Sequence, residues 1–158
     1  MRYFQAYINI IKQAIDNDLK VACEELINRR SDAATQPIRD FLERATALRP
    51  TKPSSSIDQD QTSTSLSNHP FAKPADITQI NQDFRAACEK ETTAWITQLR
   101  IYLKDQKTIS VLVAPYKTRI VGVYGAFLDL VTKEYPGEVA EGMLSPADVW
   151  SLLDRLCN

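Results

Sequence analysis

The chain has 158 residues, 44% of them apolar and 25% charged, with a formal net charge of −1 and a single histidine. That is enough chain for one domain with a substantial core. The charge balance argues against a phosphate-gripping nucleic-acid binder and against a polybasic membrane-surface patch. No run reaches the 18 or so apolar residues that a membrane span needs, and no secretory signal pattern follows Met1. Three widely spaced cysteines, Cys23, Cys88 and Cys157, read as free thiols in a cytosol-facing protein rather than as a disulfide framework.

The first predicted element is an amphipathic helix over residues 3–28. Phe4, Ile8, Ile11, Ile15, Leu19, Ala22 and Leu26 recur in steps of three and four, with Lys12, Asp16, Lys20 and Glu24 on the other side. Pro37 interrupts the pattern, because it has no N–H to donate and its ring crowds the preceding turn. Ile38, Phe41, Leu42, Ala45 and Leu48 then resume it, as a second helix or a kinked continuation that ends before Pro50.

Residues 50–75 carry few large apolar side chains and many serines, threonines and prolines. Such a segment cannot bury enough surface to offset the entropy of ordering it, so it is expected to be a flexible linker, disordered at least in part. Asp76 is the expected cap of the next helix, with Gln79 completing a capping-box-like pair. Ile77, Ile80, Phe84, Cys88, Trp95, Leu99 and Tyr102 form its stripe as far as about Lys104, across a polar gap at Glu91 and Thr92. Asp105-Gln106-Lys107 is a short connection of the kind that joins antiparallel helices.

Residues 108–113 are ambiguous. Three β-branched residues allow a strand, but a lone strand has no partner here, and a helical turn is the better reading. Pro115 reads as a kink or as the first residue of the next helix. Tyr116, Ile120, Val123, Phe127, Val131 and Tyr135 mark that helix, which Pro136-Gly137 ends. Ser145-Pro146-Ala147-Asp148 opens the last helix as cap, first-turn proline and reciprocal carboxylate, with Val149, Leu152, Leu153 and Leu156 on its buried side.

The fold class expected is therefore all-α: an antiparallel bundle of about five helices with a long disordered Ser/Pro-rich loop. Residues 1–49 would be a helical hairpin or kinked helix, 50–75 a linker, and 76–158 a C-terminal bundle packed with 1–49 as one unit.

Little in the sequence points to bond-making chemistry. His69 lies in a proline-flanked loop without an orienting partner. Cys23 and Cys88 fall on apolar helical faces, where core thiols are the ordinary outcome. Glu24-Glu25 and Asp58–Asp60 read as solvated charge. Gly122-Val123-Tyr124-Gly125 lacks the strand and lysine of a phosphate loop, and its glycines read as aids to close helix packing. Arg29-Arg30 solvates a helix end, or docks an acidic partner. Trp95 and Trp150 read as core residues, or as anchors of a partner interface, and the Ser-rich loop as a linker open to phosphorylation. No catalytic, cofactor-binding or metal-binding residue is assigned, no cofactor is expected, and no partner-binding residue can be singled out.

Three stretches carry a family resemblance. They are Leu19-Lys20-Val21-Ala22-Cys23-Glu24-Glu25-Leu26-Ile27, Asn68-His69-Pro70-Phe71-Ala72-Lys73-Pro74-Ala75, and Leu99 to Thr108 followed by an apolar run to Pro115. In this order and spacing they resemble the C-terminal region of the third subunit of the conserved oligomeric Golgi (COG) tethering complex, over roughly residues 15–156. The resemblance implies an antiparallel helical bundle in a non-enzymatic subunit that helps capture vesicles in intra-Golgi retrograde transport. It implies a peripheral location on the cytoplasmic face of the Golgi membrane. The partners implied are other COG subunits, SNARE proteins, Rab GTPases and coiled-coil tethers, with no nucleic acid and no transmembrane segment. That family's full chain is several times longer and has an N-terminal coiled coil, so Met1 is expected to begin a fragment, and Pro37 departs from the smooth helix expected there. The alternatives are a helical subunit of another multisubunit tether, exocyst-like, or an unrelated helical adaptor.

Overall fold

A computed structural model describes residues 2–48, 66–135 and 137–158. Helix α1 spans Arg2–Ala47, α2 Pro74–Tyr102, α3 Gln106–Glu134, α4 the single turn Glu138–Glu141, and α5 Pro146–Cys157, with a short 3₁₀ turn at Leu66–Asn68 before α2. The described residues contain no strand, and the architecture is an all-α bundle.

α2 runs antiparallel to both α1 and α3. Arg30 on α1 meets Gln98 near the end of α2, whereas Phe41 stacks on Phe71 just before α2 begins. Across α2 and α3, Thr92 meets Tyr116 and Asn81 meets Tyr124. α1 and α3 are therefore parallel, as the contacts Asp32–Arg119 and Phe41–Phe127 show. α1 and α5 each pack against both α2 and α3. The centre is filled where α2 faces α3, by Phe84, Trp95, Tyr116, Tyr124 and Phe127, with Trp95 and Tyr116 ring centres 4.4 Å apart. Each such side chain removed from water contributes about 1.5–3 kcal/mol before entropy is charged against it.

The helix ends follow their chemistry. Ser145 Oγ accepts from the Asp148 N–H at 3.1 Å while Asp148 Oδ2 accepts from the Ser145 N–H at 3.0 Å, with Pro146 in the first turn, as its sequence predicts. Asp105 caps α3 by accepting from the backbone N–H groups of Lys107 and Thr108. Hydrogen bonds from the Thr108 hydroxyl and then from these amides hold its carboxyl below the usual range.

Several expectations need correction. Of the two readings of the first segment the hairpin is the one that fails: residues 2–47 form one helix, and Pro37 lies inside it. The 46 residues span about 69 Å at ~1.5 Å per residue. Among the described side chains of α1 the first buried one is Ile27, and Ala34, Ile38, Phe41 and Ala45 form the packed face. Ile15, Leu19 and Leu26 are exposed by 60%, 61% and 38%, and Leu48 is exposed as well. The side chains of Phe4, Ile8 and Ile11 lie outside those described.

Residues 50–65 of the expected linker likewise lie outside the described residues. Its last part is built structure: Leu66 and Ala72 are buried, and α2 starts at Pro74, so the linker's expected end at residue 75 is too late. Lys73 is the N-cap of α2. Asp76 sits three residues on and accepts from the Lys73 N–H at 3.2 Å, so it is the reciprocal partner and not the cap. α2 ends at Tyr102, which is 82% exposed rather than part of the stripe. The connection to α3 is Leu103–Asp105, and residues 108–113 are helical, with Pro115 inside α3.

Candidate interaction surfaces

The buried polar groups of the bundle are paired with one another. Tyr124 donates its hydroxyl to Asn81 Oδ1 and accepts from the Leu144 N–H, both at 2.9 Å. Tyr135 donates to the Ala72 carbonyl at 2.5 Å, tying the end of α3 to the segment before α2. Thr92 fills the polar gap expected in α2 by sharing a hydrogen bond with Tyr116 at 2.8 Å. Among the described residues no buried side-chain polar atom lacks a partner. Each of these groups is already occupied in holding helices together.

The residues weighed as chemical candidates are scattered. His69 is half-buried beside Phe71, and its backbone joins a turn by accepting from the Ala72 N–H at 3.0 Å. Cys88 is buried in the core, and loss of water pushes its thiol up to about 11. Burial likewise raises the thiol of Cys157, while Cys23 is half-exposed on α1. Glu25 pairs with Arg29 and Glu24 with Lys20, so these carboxylates serve the surface of α1. Asp58–Asp60 lie outside the described residues. Arg30 donates to Gln98 at 2.6 Å, which places it in the α1–α2 contact rather than free to dock a partner. Trp95 is core, but Trp150 is 38% exposed and lies under the Lys117 ammonium, 4.9 Å from its ring centre, while Lys117 also pairs with Asp154 at 2.5 Å. No group of acidic, histidine or cysteine side chains that could hold a metal occurs among the described residues.

Two outward features remain. The first is a groove of about 900 Å³ between α1 and α3, lined by Gln36, Asp40, Leu42, Glu43, Val123 and Ala126 among others. Gly122 forms part of its wall, and a Cβ built on Gly122 or on Gly125 would meet nothing within 4 Å. These glycines therefore do not enable close helix packing, contrary to expectation. At one end of the groove Asp32 pairs with Arg39 and, at 3.3 Å, with Arg119. Partial burial raises the Asp32 carboxyl, but hydrogen bonds and charge from Arg39 and Arg119 outweigh that and leave it below its ordinary value.

The second feature is the first half of α1, where side chains from Lys12 to Leu26 are exposed apart from half-buried Cys23. Periodicity alone misplaces this stripe, because it registers an apolar face without telling whether anything covers it. The signal that could have separated the two halves is their phase. At ~100° per residue, Ile15, Leu19, Ala22 and Leu26 lie nearly a third of a turn from Ala34, Ile38 and Ala45.

The described residues thus form an all-helical bundle whose buried polar groups are paired internally, with an apolar strip and a groove turned outward. Comparison with known families gives this bundle its class. The model of the COG3 C-terminal cap domain matches residues 18–156, and the chain belongs to that family. Conserved oligomeric Golgi complex subunit 3 of Homo sapiens is 22% identical over 136 residues, covering 86% of this chain and 16% of that protein. The Mus musculus subunit 3 gives the same identity and coverage. The chain thus spans about a sixth of the length of these curated relatives. No solved structure matches it.

Proposed function

We propose that the chain is a non-catalytic part of a vesicle-tethering subunit, acting through protein–protein contacts in intra-Golgi retrograde transport. The observation that carries this reading is the family match over residues 18–156. The exposed first half of α1 and the α1–α3 groove support it, because a binding subunit needs surface left over after its own core is built. The partners are other COG subunits first, then SNARE proteins, Rab GTPases and coiled-coil tethers. The site of action is the cytoplasmic face of the Golgi membrane, held peripherally. No helix of the described residues is long and apolar enough to cross a membrane.

The test is affinity purification of this protein from its own cells, with quantitative identification of what comes with it. Recovery of the remaining COG subunits in near-constant ratio is the expected result. A protein that purifies without them under mild conditions would overturn the proposal.

A further inference from the structure

We infer that residues 12–26 of α1 form a docking strip for an amphipathic helix lying outside this chain, seated where α2 stops covering α1. The inference rests on the reading of the chain as a protein-binding module and names the chemistry of one partner.

Three observations carry it. The strip is helical and apolar at steps of four, three and four: Ile15, Leu19, Ala22 and Leu26, all exposed. That spacing is how one helix presents a seam to another. A bare helix of this length is marginal in water, so its stability calls for packing that the bundle does not supply.

The strip also continues an existing interface. On α1 the buried face starts at Ile27, Arg30 meets Gln98 of α2, and α2 ends one turn later at Tyr102. At ~100° per residue Arg30 falls between the packed face of α1 and the strip, so the strip borders the side along which α2 runs. Ile101 and Tyr102, at the end of α2, are themselves exposed by 69% and 82%. A helix on the strip would take up the line of α2 and cover these two side chains.

Charge selects the occupant. Between Lys12 and Leu26 there are four carboxylates, Asp16, Asp18, Glu24 and Glu25, against two lysines. Glu24 and Glu25 are paired with Lys20 and Arg29, whereas no ion pair is formed by Asp16 or Asp18 among the described residues. Membrane-surface helices carry the opposite pattern, with lysine and arginine beside the apolar face. The strip therefore fits a polypeptide helix with an aliphatic face and basic flanks, not an anionic lipid surface.

The experiment uses the 158-residue chain and two synthetic amphipathic helices with the same leucine stripe, one flanked by lysine and one by glutamate. Fluorescence anisotropy should show the lysine-flanked helix binding about tenfold or more tightly than its twin, given the cost of like charges across an interface. Hydrogen exchange should then slow at residues 12–26. Leu19→Glu and Ile15→Glu should each weaken binding about tenfold, with thermal midpoints unchanged because both positions are exposed. Binding of both peptides alike, protection at the α1–α3 groove instead, or full binding by the two variants would overturn the inference. So would preferential binding to anionic vesicles, or self-association abolished by Leu19→Glu, since each names a different occupant. A chain that ignores both peptides would also sink the strip, while complex membership keeps its own separate test.

Discussion

Tyr124 joins three parts of the chain at one oxygen: α3 through its own backbone, α2 through Asn81, and the segment before α5 through the Leu144 N–H. Tyr124→Phe keeps the ring in its contacts with Phe84 and Phe127 but leaves the buried Asn81 amide oxygen without its donor. Loss of about 1–3 kcal/mol is expected in urea unfolding, and a loss below a few tenths would show that water replaces the hydroxyl. The cysteines give a second check at this scale. A buried thiol raised to about 11 remains protonated near neutral pH, so a thiol reagent should modify Cys23 well before Cys88 in the native chain and all three alike in denaturant. Equal native rates would contradict the packing around Cys88. At this scale the sequence was informative about Ser145 and Asp148, whose capping chemistry is local. It was uninformative about Thr92, Tyr124 and Asn81, whose roles exist only once two helices are brought together.

At the scale of elements, α1 holds the main lesson. Its two halves carry equally regular apolar stripes, yet among the described side chains those of Ile15, Leu19, Ala22 and Leu26 are exposed while Ala34, Ile38, Phe41 and Ala45 are buried. Ile38→Ala should cost about 2–5 kcal/mol by opening space in a packed core. Leu19→Ala should change the stability of the isolated chain by no more than about 0.5 kcal/mol. Similar costs at both positions, read from denaturant midpoints, would contradict the exposure of the first half. Gly122 offers a test of opposite sign. Its Cβ position is open and its helix is regular, so Gly122→Ala should stabilise by about 0.5–1 kcal/mol. A destabilised variant would mean that the wall of the groove is closer than 4 Å to that position. Helix existence and most core positions in α2, α3 and α5 were legible because periodicity reports an amphipathic face directly. The prolines misled as boundaries, because Pro37 and Pro115 lack an N–H to donate yet sit inside continuous helices.

For the whole molecule, the bundle links stability to pH through Asp32, which bridges α1 to α3 by way of Arg119. Its folded carboxyl titrates below the ordinary value of about 3.8, so the unfolded chain binds more protons in the interval between the two. Stability from this contact is complete above the unfolded value and is lost as pH falls through the folded one. Thermal midpoints measured from about pH 5 down to about pH 2 should therefore fall less steeply for Asp32→Asn than for the unchanged chain. Parallel curves would show that the triad contributes nothing to the folded state. The all-helical class and the family were both legible at this scale. What the exposed stripe of residues 15–26 serves was not, because a sequence registers an apolar face without registering what seats on it. The most direct measurement of the central claim is amide hydrogen exchange at residues 12–26, in the chain alone and in its complex with the proposed COG subunits. The account predicts fast exchange in the first and strong protection in the second, with the core from Ile27 onward protected in both. Equal exchange at residues 12–26 in both states would contradict it.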